Sequence, residues 1–268
     1  MEKIKKGDIV ARKSYSCDIL FFVDKIIFST NGSAIAILKG ITVRIIADAY
    51  LDDLLFIDKD LIDVNIKNLD SKIEDRIFDT SLLKTRYRIN NNTGKILHLD
   101  GDRRYSEKSN RYYRRSGLTA IVRNIPEFRQ PQMIRELLRK YKPDILIITG
   151  HDGMIKSGIN YADINNYRNS KYFIQSVIEA RKLIPSSNDL SIFAGACQSF
   201  FEAIMSSGAN FASSPGRILI DFMDPLIVAE KIAITPRNKF ITINDILADL
   251  RDGKKSIDGI GSMGKKPL

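Results

Sequence analysis

Residues 144–153 read DILIITGHDG, and residues 190–199 read LSIFAGACQS. Each is a short apolar run that stops at glycine. A residue of reactive type follows: His151 in the first, Cys197 in the second. Short apolar runs bounded by turn signals read as strands buried on both faces. Outward from them the grammar repeats. KILHL (95–99) and LTAIVRNI (118–125) read as strands, and ANFASS (209–214) as another. Between them lie helical patterns. In PEFRQPQMIRELLRKY (126–141), Met133, Ile134, Leu137 and Leu138 fall at helical spacing behind Pro131. NSKYFIQSVIEARKLI (169–184) follows, with Asn169 or Ser170 as N-cap, and then QSFFEAIMSSG (198–208), with glycine past its end. Strands that alternate with helices and are apolar throughout imply a mostly parallel sheet sandwiched by helices. The expectation is an α/β domain over 93–268.

The chain before it reads differently. GDIVARKSY (7–15), DILFFVDKIIF (18–28), SAIAILKGIT (33–42) and VRIIADAYLDDLLFI (43–57) are β-rich, with a turn signal in STNGS (29–33). Strands at that density predict a small all-β domain over 1–60, a small barrel or open sheet of SH3-like size. Residues 61–92 are charged and predict helix followed by a linker in RINNNTG (88–94).

With 268 residues, 44% hydrophobic and 28% charged, the chain is long enough for two domains and ordinary in composition. No run approaches the ~20 apolar residues of a membrane span, so no membrane association is expected. MEKIKKGDIV lacks the apolar centre of a signal peptide and reads as mature sequence. Two cysteines make no disulfide framework, which points to a reducing, cytoplasmic setting. The net charge of +10 attracts nucleic acid or acidic protein without choosing between them. Basic residues are densest in GDRRYSEKSNRYYRR (101–115), which reads as an exposed loop able to bind phosphates and stack on bases. GIGSMG (259–264) follows no clear strand and opens no helix; it reads as a flexible tail rather than a dinucleotide site.

In parallel sheets, sites form beyond the carboxyl ends of the strands. If the strands before His151 and Cys197 are neighbours, imidazole and thiol project from one edge. A histidine and a helix N-terminus both favour thiolate, and Cys197 is placed to open the helix at 198–206. Backbone N–H groups at Gly153 or Cys197 are positioned to stabilise an oxyanion. His98, inside a strand, and Cys17, in the β-domain, read as structural. Two histidines and two cysteines far apart offer no metal cluster, and no cofactor is expected.

An apolar block, His and Gly, a second apolar block and then Ala-Cys resemble the caspase and clostripain-like cysteine peptidases. A longer set of motifs is more specific: LHLDGD, RQPQMIRELLRKYKPDILIITGHDG, NYRNSKYFIQSVIEAR, IFAGACQSFFEAI, GANFASSPGRI and DPLIVAEKIAIT, with GDIVARKSY and AYLDDL near the start. These resemble the YabG family of sporulation-specific proteases across essentially the whole chain. The resemblance implies a caspase-like fold and a self-processing cysteine endopeptidase. It implies protein substrates associated with spore coat and cortex, cleaved after arginine, and residence in the mother-cell cytoplasm at the developing coat. It also implies His151 as base and Cys197 as nucleophile. One departure is visible: Asp152 stands between His151 and Gly153, which leaves open which N–H, that of Asp152 or Gly153, completes the oxyanion hole.

Cleavage after arginine requires an acidic pocket. Asp224 in FMDP is the first candidate, with Asp221, Asp152 and Asp100 behind it; equally, Asp224 and Pro225 form a helix-start pattern. Asp100 and Asp102 close the first strand of the α/β domain. The arginines of 101–115 offer a candidate self-cleavage region. Two other functions compete. One is a cysteine amidohydrolase of glutaminase type, which the order of histidine before cysteine disfavours. The other is a basic module binding nucleic acid or protein. Oligomeric state is not legible.

Overall fold

The computed structural model describes residues 3–28, 32–86, 92–155 and 160–268. Most of the STNGS turn and of the expected linker, residues 29–31 and 87–91, lies outside them. The first five strands are β1 (Ile9–Arg12), β2 (Phe21–Phe28), β3 (Ala34–Gly40), β4 (Ile46–Tyr50) and β5 (Leu54–Phe56). They pair in the order β4-β3-β2-β1-β5, antiparallel throughout. The pairing makes one antiparallel sheet with β4 and β5 at its edges. The charged stretch that follows is one helix, α1 (Lys59–Arg86).

From residue 96 the chain alternates: β6 (Ile96–Asp100), α2 (Arg103–Arg115), β7 (Ala120–Asn124), α3 (Gln130–Tyr141), β8 (Ile145–Thr149), α4 (Ser170–Leu183), β9 (Ser191–Ala194), α5 (Phe201–Ser206), β10 (Phe211–Ser213) and α6 (Asp224–Ile234). A short ribbon, β11 (Phe240–Ile241) with β13 (Ser262–Met263), flanks β12 (Ile257–Gly259). The second sheet runs β12-β10-β9-β8-β6-β7, parallel except for β12. Side-chain alternation along each strand divides its residues between two faces. Ile145, Ile147, Phe193 and Phe211 pack with α1, α2 and α6, while Leu146, Ile148, Ile192 and Ala212 pack with α3, α4 and α5. The mostly parallel sheet flanked by helices is the architecture expected from the alternating pattern.

Three local expectations are corrected. The basic stretch 101–115 is not a loop. Tyr105, Ser109, Tyr112 and Tyr113 recur at helical spacing and are buried, so α2 is amphipathic with tyrosine as its apolar face. Asp102 caps it by accepting from Arg104 N at 2.8 Å. Its basic face is neutralised by α1, with Lys108 and Arg111 on Asp70 and Arg115 on Glu74. The helix after Cys197 begins at Phe201, three residues later than expected, leaving Cys197 in a turn. The residues 259–264 are not a loose tail. β12 pairs with β10, and a Cβ at Gly259 would meet Asn210 O at 2.2 Å.

Ile147 is fully buried at the centre of β8, against the helices of one face. Replacing it with alanine removes about 2–5 kcal/mol of unfolding free energy. Urea unfolding of the full chain reads this as a lower midpoint with an unchanged slope.

Candidate active site

The connection after β6 runs to β7 on one side, and the connection after its neighbour β8 runs to β9 on the other. Ligands bind outside the carboxyl ends of strands at such a switch point. Asp100 and Thr149, the last residues of β6 and β8, lie side by side in register. His151 follows β8 by two residues and Cys197 follows β9 by three, so the edge of the sheet carries both.

His151 is fully buried and held from several directions. Its backbone N donates to Glu127 Oε1 at 2.7 Å, and its carbonyl accepts from Asn169 Nδ2 at 2.7 Å. Gly150 is required because a Cβ there would lie 2.4 Å from Glu127 Oε1. The imidazole stacks on Tyr105 with ring centroids 5.3 Å apart. Nε2 lies 3.1 Å from Gly40 O, a geometry that puts the ring proton on Nε2. Nδ1 then carries the lone pair; it has no hydrogen-bond partner and stands 4.0 Å from Asp102 Oδ2. Burial lowers the imidazole pKa to about 4, against the pull of Asp102.

Cys197 is equally buried. The turn that presents it is tight: Gly195 has φ 115° and faces Ser213, and Gln198 has φ 54°. Its Sγ accepts from Ile220 N at 3.3 Å. Burial pushes the thiol up to about 12, with the Ile220 amide and the Arg44 guanidinium pulling the other way. Both members of the pair are therefore neutral in this arrangement. Among the described residues no hydrogen bond joins them directly. The Asp152 carboxylate ties their loops together, accepting from Ser170 Oγ beside His151 and from Ser199 Oγ at 2.9 Å. Ser199 Oγ in turn accepts from Ala196 N at 2.9 Å. Burial lifts Asp152 to about 6 despite these donors.

The space between the two loops is filled by the first sheet's own connection. Residues 40–46 cross the strand ends, with Val43 bridged antiparallel to Asp221 and Ile45 parallel to Asp152. The Arg44 carbonyl accepts from two backbone N–H groups, Asp152 N at 3.1 Å and Cys197 N at 3.3 Å. Gly153 N instead donates to the Asp152 carboxylate at 2.9 Å. The Arg44 side chain is fully buried and ion-paired with Asp100. Its guanidinium carbon sits 4.6 Å from the Tyr105 ring centroid and 5.2 Å from that of Phe222. Asp100 is itself fixed by Thr149 Oγ1 at 2.9 Å and Asp102 N at 2.9 Å. His98 completes the floor, 2.7 Å from Thr149 Oγ1 and 3.1 Å from Tyr113 OH.

The four acids of the sequence reading thus part company. Asp100 meets arginine. Asp224 Oδ2 accepts from Asp221 N at 3.1 Å at the start of α6, and burial together with Asp221 raises it to about 7. Asp221 pairs with Lys72 at 3.3 Å and Arg251 at 3.7 Å. Asp152 binds the two serines. Residues missed in the sequence are Arg44, Glu127, Tyr105 and Phe222. Only Arg44 left a signal: a lone charge inside the apolar run ITVRII (41–46).

Burial at a pKa of about 12 leaves roughly one Cys197 in ten thousand as thiolate at pH 8. The uncut native chain is therefore alkylated by iodoacetamide at the partly buried Cys17 well before Cys197, with Cys197 catching up in denaturant. Peptide mapping by mass spectrometry reads the order, and equal rates would contradict the burial.

A family model described as YabG peptidase U57 matches residues 5–267. The chain is 39% identical to the "Sporulation-specific protease YabG" of Bacillus subtilis (strain 168) over 276 residues, covering 96% of this chain and 94% of that protein. No solved structure matches it significantly. Among the described residues, no helix is long and apolar enough to cross a membrane.

Proposed function

The chain belongs to the YabG peptidase family, and from that premise we propose that it is a sporulation protease working as a cysteine endopeptidase. Cys197 is the nucleophile and His151 the proton carrier. Its substrates are spore coat and cortex-associated proteins, cut after arginine, and it processes itself. We take 93–268 as the caspase-like catalytic domain, 1–60 as an SH3-like module and 61–92 as the connection.

The observation that carries this reading is the seating of Arg44. A peptide carbonyl lies between two backbone N–H donors, one of them the N–H of Cys197 itself, while the arginine side chain beside it is buried on Asp100. Preorganised N–H donors beside a nucleophile are what acyl transfer needs. The extended pairing of residues 43–46 suits a polypeptide rather than a small amide.

Sγ attacks the carbonyl carbon of the residue seated on Asp100. The oxygen takes the negative charge between Asp152 N–H and Cys197 N–H. His151 Nδ1, freed by the Nε2 contact to Gly40 O, accepts the thiol proton and passes it to the leaving amine as the C–N bond breaks. Water then attacks the thioester, giving its proton to Nδ1, and releases the new carboxylate and the thiol. Arginine is preferred over lysine because its flat guanidinium lies against two aromatic rings, those of Tyr105 and Phe222, while pairing with Asp100.

Purified wild type, Cys197→Ala and His151→Ala are compared on an arginine-containing peptide library. Each variant loses about 10³-fold or more in kcat/KM. Asp100→Asn loses about tenfold to a hundredfold on arginine peptides, the equivalent of one charge-assisted contact. Equal cleavage by wild type and both alanine variants would end the assignment.

A further inference from the structure

The segment that reveals the pocket is also chemically a substrate for it. Residues 40–46 enter the site as an added strand, and Ile46 N donates to Asp152 O at 2.8 Å. The Arg44 carbonyl sits on both N–H donors and its side chain on Asp100. Two details separate this from a permanent structural ion pair. Arg44 is fully buried, yet its Nε and Nη2 have no hydrogen-bond partner. A buried charge retained for architecture normally has its remaining donors satisfied. The second detail is the next amide. Ile45 N donates none of the described backbone hydrogen bonds, whereas Ile45 O accepts from Gly40 N at 2.8 Å. The nitrogen that must leave is unencumbered, and the groups on either side of it are clamped.

We propose, resting on the cysteine endopeptidase reading, that the Arg44–Ile45 bond is the bond this protein cuts in itself, and that residues 40–46 keep the site closed to other substrates until it is cut. Sγ of Cys197 forms the acyl bond to Arg44, and the Ile45 nitrogen takes the proton carried by His151. Water then releases Arg44 as a carboxylate. The products are residues 1–44 and 45–268. The cut creates an ammonium at Ile45 and a carboxylate at Arg44 among apolar neighbours that include Ile220 and Val23. Charges in such surroundings favour withdrawal of both ends into water. The sheet survives this: β3 and β4 stay paired from Ile35↔Tyr50 to Lys39↔Ile46, on opposite sides of the cut. The two pieces therefore remain together under native conditions. This moves self-cleavage away from 101–115, which is helical and cannot enter an extended site without unravelling.

The test uses the full chain as wild type, Cys197→Ala, Arg44→Gln and Ile45→Pro, with circular dichroism to confirm folding. Proline at 45 removes no described hydrogen bond and leaves Arg44 in place while blocking scission. Intact-mass measurement and N-terminal sequencing of wild type are expected to show a fragment beginning Ile-Ile-Ala-Asp that co-elutes with residues 1–44 and separates in urea. Cys197→Ala, Arg44→Gln and Ile45→Pro stay uncut at this bond. Ile45→Pro hydrolyses arginine peptides roughly tenfold or more slowly than cut wild type, because its site is filled. If wild type cleaves arginine peptides through Cys197 but yields no fragment starting at Ile45, this proposal falls and the peptidase reading stands. If uncut Ile45→Pro is as active as cut wild type, the closing role falls. If Cys197→Ala matches wild type on both the peptides and the chain, the peptidase reading falls and takes the proposal with it.

Discussion

A guanidinium with no exposure to water must find a carboxylate, and Arg44 finds Asp100. Much of the arrangement around the site is organised by that pairing. Asp100 ends β6 at the point where the parallel sheet changes direction, and Thr149 of β8 holds the same carboxylate. Arg44 comes from the other sheet. In the uncut chain one ion pair thus joins the antiparallel sheet to the carboxyl edge of the parallel one, at the place where parallel sheets form their sites. The cost of bringing two charges out of water is large, and it is offset only where geometry and further contacts are good. Here the aromatic faces of Tyr105 and Phe222 supply part of that compensation.

The consequences reach the reactive pair. Because residues 40–46 fill the space above the strand ends, His151 and Cys197 are sealed from solvent. Their shifts then follow from burial: the imidazole falls to about 4 and the thiol rises to about 12. No thiolate–imidazolium pair is present while the segment is in place. The same two residues, uncovered, regain solvent and move back toward ordinary values.

The sequence made the parallel sheet legible because each strand is apolar on both faces and each helix has its own spacing and cap. That His151 and Cys197 share one edge was legible for the related reason that parallel strands place the residues after them at a shared edge. What was hidden depended on contacts between distant segments. Arg44 and Asp100 are far apart in the chain, and no local pattern joins them. Glu127 looked like an ordinary residue before a helix, although its carboxylate holds the His151 amide. The stretch 101–115 misled because charge dominates its composition. Tyrosine, with an apolar ring and a polar tip, supplied the buried face that a count of aliphatic residues does not register. Cys197 was placed at a helix start, but the chain first needs a turn through Gly195 and Gln198, so the thiol receives a backbone N–H from Ile220 rather than a helix terminus.

The proposed preference for arginine raises a difficulty, since the chain itself carries 19 arginines. Secondary structure resolves much of it. A site that pairs with its substrate as a strand accepts only extended backbone, so an arginine inside a helix is protected until that helix opens. Arg103, Arg111 and Arg115 lie in α2, and Arg76 lies in α1, paired with Glu230 and Asp249. Arg181, in α4, is bound to the carbonyls of Gly208 and Leu190. Arg44 differs from all of these: it sits between two strands, in extended chain, with its carbonyl already on the two N–H donors. On the proposed reading, selectivity of the enzyme toward itself follows from backbone conformation before side-chain recognition enters, and the Asp100 pocket then acts among the arginines that lie outside helices.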